Sequence, residues 1–543
     1  MASTPVPEEG KNQLQAPKPG PTQGKRPHQN GHSHRGKPAK QRKKDKPAQE
    51  GSHEEVLLAD IQALLAAQKI SDDASGGDVS EGQPLPEQGS EIEVEVVELS
   101  STGDGLAKQK GSNQIYVVPF TVPGDTVKVK VYRHLPAQGY TAADFISVTK
   151  PSPLRDDSRI QCPYFAKCSG CQFQMLEYPE QLKIKRNIVV KAYRNFSQLP
   201  PELVPEVLDT IGSPLQYGYR TKLTPHFDGP PGNRHKPKAP LKEKPAFGFT
   251  PKTSRKVLDI EDCPIATDAV RQGLKEEHTR LATEYNKYVR GATILLREST
   301  TRVPTGSEPP ADLPASLVTV TTPEYTDHKT YITDQNATST EYIDNFVFTN
   351  PAGSFFQNNN SILSPFTAYI REHILPPSSP KPIKYLIDAY SGSGLFTITQ
   401  SSLFPGGSIG IDIADKSIAY ARRNAILNGL SETQCRFIAA DAPELFKSVS
   451  VYDPDETVVV LDPPRKGCDA SFLRQLLKFA PRRVVYVSCN VHTQARDVGV
   501  LVRGEVEGEG GKTRYEIESI RGFDFFPQTG HVEGVAVLNR VDE

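Results

Sequence analysis

One stretch of the sequence, residues 458–490, constrains the fold more than any other. It contains two short apolar runs rich in valine, 458–461 and 484–487, of the kind that form buried parallel strands. Between them, residues 470–480 repeat apolar side chains at a helical spacing. A strand, a crossover helix and a second strand predict one unit of a doubly wound α/β sheet.

The residues directly after these two strands carry reactive groups. Asp462 follows the first strand and precedes two prolines, which end the strand because proline has no N–H to donate to the ladder. Cys489 follows the second strand. Since ligands of such sheets bind at the carboxyl ends of the strands, we expect the carboxylate and the thiol to share one crevice. The alternative is a loop aspartate and a structural cysteine, the commoner fate of a lone cysteine.

Upstream βα units indicate which cofactor this sheet binds. A strand at 385–388 leads into Gly392 and Gly394, and the next strand ends at Asp412, placed to accept both ribose hydroxyls of an adenosine. Nicotinamide-binding turns usually read G-x-G-x-x-G and cradle a phosphate, whereas Leu, Phe and Thr follow Gly394. This favours S-adenosylmethionine, which has no phosphate. Asp441, after the third strand, is a candidate partner for the adenine amino group.

The overall composition is that of an intracellular protein. The chain has 543 residues, enough for two to four domains, and its formal net charge of −1 indicates nothing about nucleic acid. No apolar run approaches the roughly 20 residues of a membrane span, and no secretory signal is recognisable. The seven cysteines are therefore not expected to form disulfides. We expect a monomer without membrane partners, located in the cytoplasm, the nucleus or both.

The first 150 residues divide into two parts. Residues 1–89 are predicted to be a disordered basic tail and linker, with an amphipathic helix of unassigned role at 54–68. The basic run 40–44 fits a nuclear import signal, a polyanion tether or a solvated tail without an address. Residues 90–150 alternate apolar and polar side chains between turn signals, which predicts a small five-stranded barrel. This barrel resembles the TRAM domain, an OB-like RNA-binding barrel.

The central domain, predicted for residues 151–345, is α+β and contains a cysteine cluster. Cys162, Cys168 and Cys171 follow the pattern C-x5-C-x2-C, and Cys263 offers a fourth thiol. Cysteines this close in a cytosolic protein indicate a metal site, although spacing alone fits zinc as well as an iron–sulfur cluster. Strands near 217–222 and 247–249 interleave aromatic and cationic residues, which suits RNA stacking or, equally, ordinary amphipathic strands.

Four short motifs and two single residues, taken together, carry a family resemblance. They are 355–358 (FFQN), 462–467 (DPPRKG), 487–490 (VSCN), 526–529 (FPQT), His531 and Glu533. In this order on one chain they resemble the RNA 5-methyluridine (uracil-5) methyltransferase family, in its cluster-bearing branch, over residues 90–543. The resemblance implies a class I α/β methyltransferase domain at 346–543, Rossmann-like with a seven-stranded sheet.

The resemblance also implies roles for individual residues. Cys489 is the nucleophile and Glu533 the base, and the four cysteines hold a 4Fe–4S cluster. The cofactor pocket is implied to include the following residues: Gln357, Tyr390, Asp412 and Asp462. The sequence departs from the family pattern with serine for cysteine at 391, leucine for asparagine at 395 and aspartate for glutamate at 412. The departure at Leu395 puts a cofactor contact there in question.

The chemistry of uracil explains these residue types. A thiolate added to carbon 6 makes carbon 5 nucleophilic towards a sulfonium methyl, and cysteine is intrinsically suited to this addition. A carboxylate such as Glu533, its pKa raised by burial, must then remove the carbon-5 proton. Arg465 or Lys466 can donate to the developing enolate oxygen. The target nucleobase must also leave the stack of bases in the RNA. This explains why an RNA-binding half is attached to the methyltransferase domain.

Two rival functions and two RNA targets are compatible with parts of this sequence. A 5-methylcytosine methyltransferase would be expected to carry a thiol where Asp462 and its prolines stand, and a catalytically silent RNA-binding or chaperone protein would not need Cys489 with Glu533. We therefore expect uracil methylation. Transfer RNA, at its thymine-loop uridine, is the expected partner, because the disordered basic tail and linker of residues 1–89 suggest a eukaryotic lineage, in which the tRNA enzymes of this family are expected. Ribosomal RNA is the alternative.

Overall fold

The computed structural model of the chain describes residues 49–75, 84–229, 239–252, 254–308, 310–311, 313, 317–510 and 513–542. The basic run 40–44 and the predicted tail before it lie outside the described residues. No helix in these ranges is long and apolar enough to cross a membrane.

The N-terminal part is a helix followed by a closed five-stranded barrel with strand order β1-β2-β3-β5-β4, which confirms the predicted barrel. The elements are α1 (His53–Ser75), β1 (Glu91–Leu99), β2 (Gly105–Lys108), β3 (Ile115–Val118), β4 (Thr126–Leu135) and β5 (Tyr140–Lys150). Leu57 and Ile61 of α1 are buried against Leu106 and Ile115 of the barrel. Helix α1 therefore belongs to the folded body, although the sequence assigns 1–89 to tail and linker.

The middle of the chain forms two small antiparallel sheets, ordered β10-β9-β8-β11 and β13-β14-β12-β7, and the hairpin β15-β16. Its elements are α2 (Tyr178–Phe196), β6 (Leu208–Ile211), β7 (Lys222–Leu223), β8 (His226–Phe227), β9 (Gly248–Phe249), β10 (Leu258–Asp259), α3 (Asp268–Glu284), β11 (Ala292–Thr293), β12 (Leu296–Pro304), β13 (Val318–Thr321), β14 (Tyr325–Ile332), β15 (Thr338–Ile343) and β16 (Phe346–Pro351). Helix α3 packs beside these sheets through Val270 and Leu274.

The C-terminal part is the doubly wound sheet. Its elements are α4 (Leu363–His373), β17 (Tyr385–Ala389), α5 (Leu395–Thr399), β18 (Gly407–Asp412), α6 (Asp415–Leu427), β19 (Cys435–Ala439), α7 (Ala442–Val449), β20 (Thr457–Leu461), α8 (Ala470–Phe479), β21 (Arg483–Ser488), α9 (Val491–Arg503), β22 (Glu505–Val506), β23 (Glu509–Gly510), β24 (Tyr515–Phe523) and β25 (Glu533–Arg540). The predicted strand–helix–strand unit is β20-α8-β21, within one or two residues of the expected bounds.

The sheet has eight strands in the order β19-β18-β17-β20-β21-β25-β24-β6. Strands β17 to β21 are parallel and β25 is antiparallel to β21. The seven expected strands are all present. The eighth, β6, comes from the predicted central domain and pairs in parallel with β24 at the sheet edge. The sequence offered no sign of it because β6 has only four residues and its partner is three hundred residues later.

Helix α2 also joins the C-terminal sheet rather than the middle of the chain. Its face formed by Ile188, Val189, Ala192 and Tyr193 is buried in the same apolar cluster as β20, β21 and α9. These residues recur at i, i+1, i+4 and i+5, the spacing of one helix face. By packing, α2 and β6 belong to the catalytic sheet.

One buried cation on α2 fixes the loop that joins β24 to β25. Lys185 and Asp524 are both fully buried. The Lys185 ammonium donates to Asp524 Oδ1 at 2.5 Å, Phe526 O at 2.9 Å and His531 O at 2.7 Å. All three N–H groups are thus used, which is what a lysine needs to be charged without water. We call residues 524–532 the closing loop.

We predict that Lys185→Met destabilises the protein by about 3–5 kcal/mol, because it removes the buried cation that pairs with Asp524 and leaves the carbonyl oxygens of Phe526 and His531 without the ammonium as their donor. Urea unfolding of the variant measures the change. Lys183→Met on the same helix is the matched control: its ion pair with Glu180 is exposed, and we expect less than about 1 kcal/mol. Equal effects of the two substitutions would contradict a structural role for the buried cation.

Candidate functional site

The expected thiol and carboxylate lie at the ends of neighbouring strands. Asp462 follows β20 and Cys489 follows β21, and these strands pair in parallel. Glu533 is the first residue of β25, whose Gly534 pairs with Ser488 of β21. Since the next pair in that register is Cys489 with Glu533, the antiparallel strand delivers a second carboxylate beside the thiol.

Cys489 and Glu533 line a cavity of about 450 Å³ that we call the catalytic cavity. Gln357 and Arg465 line the same cavity. The same cavity is also lined by four cysteines, Cys162, Cys168, Cys171 and Cys263. The structure thus places the predicted catalytic pair, one predicted cofactor residue and the predicted metal ligands around one space.

The carboxyl groups of this site hold their protons unusually tightly. Glu533 is fully buried, and its Oε1 has no hydrogen-bond partner among the described residues. Burial and, next, the charge of Asp462 raise the Glu533 pKa well above its ordinary value. Burial and the neighbouring Asp388 raise the pKa of Asp462 to about 7. Once it is ionised, a buried carboxylate with a raised pKa is a strong proton acceptor.

Cys489 is a neutral thiol in the free protein. Burial, followed by the charges of Glu533 and Asp462, raises its pKa to about 12. The charge of Arg465 and its hydrogen bond to the thiol act in the opposite direction. Arg465 therefore stabilises the thiolate form. Lys466, the other predicted donor, does not line the catalytic cavity.

The backbone beside Arg465 is held by the start of α9. Asn490 Nδ2 and Thr493 Oγ1 donate to the Arg465 carbonyl at 2.9 and 3.1 Å. Arg496 donates to the Lys466 carbonyl at 2.9 Å. These bonds fix the Asp-Pro-Pro loop relative to Cys489, so that the guanidinium is presented to the thiol.

The predicted adenosine-binding residues lie along the same edge of the sheet, outside the catalytic cavity. Asp412, at the end of β18, accepts from Gly392 N at 3.0 Å and from Ala414 N at 2.8 Å. Gly392 has φ +55°, and a Cβ there would meet nothing within 4 Å, so this turn faces open space. Asp441 follows β19 and is exposed.

Tyr390 differs from the other predicted cofactor residues because its ring packs into the protein core. It has a left-handed backbone with φ 64°, and its ring lies 5.3 Å from that of Phe472 in α8. A hydrogen bond also joins the Tyr390 hydroxyl to the thiol of Cys468. The side chain thus anchors the turn at the end of β17.

The four clustered cysteines are free thiols that line the catalytic cavity. Burial and the neighbouring Cys162 and Cys168 raise the pKa of Cys263 to about 12. The pKa of Cys171 is raised as well, first by burial and then by the charge of Cys263. Within the described ranges, no three His, Cys, Asp or Glu side chains form a group that could hold a single metal ion.

The cysteine segment also holds the closing loop. Gln172, next to Cys171, donates its N–H to Gln528 O at 2.7 Å and accepts from Gly530 N at 2.9 Å. Gln181 of α2 exchanges two bonds of 3.0 Å with Gln528. The loop that leads into Glu533 is therefore positioned by the segment between the third cysteine and α2.

Tyr219, one of the aromatic residues interpreted as an RNA-stacking candidate, also binds the closing loop. It is 1% exposed and donates its hydroxyl to Pro527 O at 3.0 Å. Its ring is thus unavailable to RNA. The sequence could not separate this role from stacking, because an aromatic residue in a short strand fits both.

Two cavity residues were not singled out from the sequence as site residues. Phe355 is 73% exposed although it is a large apolar side chain, and it lines the catalytic cavity beside Gln357. Arg220 lines the cavity too, with its guanidinium 5.7 Å from the Phe526 ring. The place of Phe355 in the 355–358 motif was the sequence signal that could have identified it. For Arg220 the signal was its position among the cationic residues of the strand at 217–222.

Comparison with known proteins identifies relatives over most of the chain. A family model described as tRNA (uracil-5-)-methyltransferase matches residues 328–541, and the TRAM domain model matches 86–137. A Schizosaccharomyces pombe protein named tRNA (uracil(54)-C(5))-methyltransferase is 44% identical, covering 92% of this chain and 86% of that protein. A Saccharomyces cerevisiae protein of the same name is 38% identical, covering 93% and 84%.

A solved structure supports the fold. The Pyrococcus abyssi tRNA (uracil-54, C5)-methyltransferase in complex with S-adenosyl-L-homocysteine superposes with a TM-score of 0.55 at 24% identity. The match covers 82% of this chain and all of that one. The solved structure therefore shares the fold of this chain over most of its length.

We predict that alkylation of Cys489 in the free protein accelerates about tenfold per pH unit from pH 7 to 10 without a plateau, because the thiolate fraction grows tenfold per unit below the pKa. Peptide mass spectrometry after iodoacetamide treatment measures the rate at this cysteine alone. Arg465→Ala should slow the reaction at every pH, and Arg465→Lys should restore part of it. A plateau below pH 9 would contradict the raised pKa.

Proposed function

The chain belongs to the tRNA (uracil-5-)-methyltransferase family, and we propose that it methylates carbon 5 of the thymine-loop uridine of tRNA with S-adenosylmethionine as methyl donor. The observation that carries the proposal is the pairing of Cys489 with Glu533 across β21 and β25, in one cavity with Gln357 and Arg465. A thiol opposite a proton acceptor is what substitution at a ring carbon of uracil requires.

In the proposed reaction the uracil lies between Cys489 and Glu533. The thiol gives up its proton to solvent water, and the thiolate sulfur forms a bond to carbon 6 of the ring while the electron pair of the 5,6 double bond moves onto the enolate. Arg465 favours this step because it stabilises the thiolate and donates to the enolate oxygen that develops on the ring. S-adenosylmethionine supplies an electrophilic methyl group to carbon 5.

Glu533 then completes the reaction. It removes the proton from carbon 5, the ring double bond forms again and the bond from Cys489 to carbon 6 breaks. Its buried position favours this role, since a buried carboxylate, once ionised, binds a proton strongly. Its unpartnered Oε1 is the atom expected to take the proton.

The residues proposed to hold the cofactor are Gln357 in the catalytic cavity and the acids along the sheet edge. Asp412 suits ribose hydroxyls, Asp441 the adenine amino group, and Asp462 the part of the cofactor nearest Cys489. Gly392 supports this fit because its Cβ position faces open space. Tyr390 contributes through its backbone at the β17 turn, since its ring is packed on Phe472.

We further propose that Cys162, Cys168, Cys171 and Cys263 bind a 4Fe–4S cluster. The donor set fits, because four free thiols line one cavity although Cys171 and Cys263 are 92 positions apart in the chain. Bound there, the cluster would serve to fasten the segment that carries Gln172. Since Gln172 holds the closing loop, the cluster would position Glu533 without taking part in a step.

We expect Glu533→Gln to trap the reaction halfway, because an amide cannot take the carbon-5 proton while Cys489 can still add. With unmodified tRNA and S-adenosylmethionine, the variant should accumulate a protein–RNA adduct that survives denaturation. Turnover should fall by roughly 10²- to 10⁴-fold. A denaturing gel detects the adduct, and release of tritium from carbon-5-labelled uridine measures turnover.

The control for the trap is the double variant Cys489→Ala, Glu533→Gln, which should give no adduct. Mapping of 5-methyluridine in tRNA treated with the wild-type protein tests the target. Normal turnover of Glu533→Gln would return the role of base to His531 or water, and methylation confined to ribosomal RNA would overturn the proposed substrate.

For the cysteine site, we expect protein purified without oxygen to be brown and to contain iron and acid-labile sulfide in near-equal amounts. Cys263→Ser should lose both and lower the melting temperature, because the loop between Cys171 and Cys263 is no longer closed. Cys435→Ser, at a buried thiol of β19, is the matched control and should keep the iron. Stoichiometric zinc without sulfide would overturn the cluster.

A further inference from the structure

The turn between β1 and β2 of the barrel lies against the closing loop. We call residues 100–104 the barrel turn, in which Gly103 donates its N–H to Ser100 O at 2.9 Å. A Cβ built on Gly530 of the closing loop would lie 3.3 Å from Gly103 Cα, so the two backbones pass each other closely. The barrel therefore contacts the loop that leads into Glu533.

The side chain of Gln172 joins the barrel turn to the closing loop. Its Nε2 donates to Thr102 O at 2.8 Å, and its Oε1 accepts from Gly530 N at 2.9 Å. Gly103 has φ +82°, and a Cβ there would lie 2.4 Å from Gln172 Nε2. Only glycine therefore leaves room for this amide. Because the two ends of one amide bind the two segments, a shift of the barrel turn is passed on to the closing loop.

The barrel turn itself is fixed by two buried carboxylates. Asp60 of α1, which is 1% exposed, accepts from Ser101 N at 2.5 Å and from Asn195 Nδ2 of α2 at 3.1 Å. Asp104 forms an ion pair with Lys252, which follows β9. The turn is thus bound to α1, to α2 and to the middle of the chain, and it offers Gln172 a fixed acceptor.

The position of the closing loop decides where the Glu533 carboxylate lies. Glu533 is the first residue of β25 and follows the closing loop directly. Its Oε1 has no hydrogen-bond partner among the described residues, so this oxygen is placed by the backbone that carries it. A displacement of about 1 Å at a reacting group can lower a rate by about 100-fold.

We propose that Gln172 is a positioning residue of the reaction: braced by the barrel turn, its amide holds the closing loop so that Glu533 reaches the carbon-5 proton. The inference rests on the proposed function, in which Glu533 is the base. It gives the barrel a task in one step of the reaction, separate from any contact with RNA.

The step that depends on this contact is the last one. The carbon-5 to hydrogen bond breaks, Glu533 takes the proton, the electron pair forms the 5,6 double bond again, and the bond from carbon 6 to the Cys489 sulfur breaks. Thiol addition and methyl transfer come before this step. A displaced closing loop should therefore leave the enzyme as its methylated covalent adduct, whereas a general loss of structure would lower activity without enriching the adduct.

The test compares two glycine variants of the full chain. Gly103→Ala places a methyl group against the Gln172 amide. Gly111→Ala, between β2 and β3, is the matched control, because its φ of +77° gives the same backbone strain while nothing lies within 4 Å of its Cβ. With tRNA and S-adenosylmethionine, Gly103→Ala should turn over roughly 10- to 100-fold more slowly than Gly111→Ala.

The same reactions identify the step that is slowed. Gly103→Ala should show a larger fraction of denaturant-resistant protein–RNA adduct on a gel than the wild-type protein, and Gly111→Ala should not. The dissociation constant for unmodified tRNA, measured by fluorescence anisotropy, should be the same in both variants, because the barrel turn acts after the RNA is bound.

A second pair of variants tests the amide without adding a methyl group. Gln172→Glu keeps the shape of the side chain and the acceptor for Gly530 N, but a carboxylate cannot donate to Thr102 O. We expect slower turnover with adduct and unchanged tRNA affinity. Gln114→Glu is the matched control, since it loses a donor to Ile115 O inside the barrel. If Gly103→Ala fails to bind tRNA, this pair decides.

Three results would overturn the inference: wild-type turnover of Gln172→Glu, equal losses in the two glycine variants that both bind tRNA, or slower turnover without adduct. Failure of the proposed function is distinguishable from these results. In that case the wild-type protein would not methylate tRNA, whereas failure of the positioning role leaves the wild-type protein active.

Discussion

The buried ammonium of Lys185 is the interaction on which the site depends. It joins helix α2 to three acceptors of the closing loop, and that loop leads into Glu533. A buried ion pair gains little net stability over an apolar pair, but it fixes geometry, because an acceptor that moves away leaves a charge without solvent. The loop has one position in which the ammonium is satisfied, and in that position Glu533 faces Cys489.

The pKa values of Cys489 and Glu533 depend on the same closing loop, because it helps to bury both groups. Burial keeps both the thiol and Glu533 in their neutral forms, so the free protein holds a nucleophile that is not yet charged. The balance between the neutral and the charged forms changes when a polar ring and a cationic sulfonium bind beside Cys489 and Glu533. Both favour negative charge on the sulfur and the carboxylate. A thiol kept neutral until its substrate arrives is protected from oxidation, which attacks the thiolate.

The sheet and the reactive pair at its edge were predictable because their signals are local. Valine-rich strands, the Asp-Pro-Pro terminator and Cys489 stand in one short stretch, and β20, α8 and β21 match the expected bounds within one or two residues. The contributions of α2 and β6 were not predictable, since both depend on partners far away in sequence. The burial of Tyr219 and the inward ring of Tyr390 could not be read from residue type, which leaves orientation open. The role of α1 was equally hidden until its docking on the barrel was visible.

The eighth strand has a consequence for how the chain is made. Strand β6 and helix α2 leave the ribosome long before β24 and α9, the elements they cover. During synthesis the apolar face of α2 and the strand β6 therefore stay without their partners until α9 and β24 have been made. The same arrangement means that the C-terminal sheet has no clean border at which it can be cut away. A fragment beginning near residue 346 would expose the edge of β24 and the apolar face of α9. We therefore expect the C-terminal domain to fold only together with α2 and β6, and not as a domain that can be transferred to another protein.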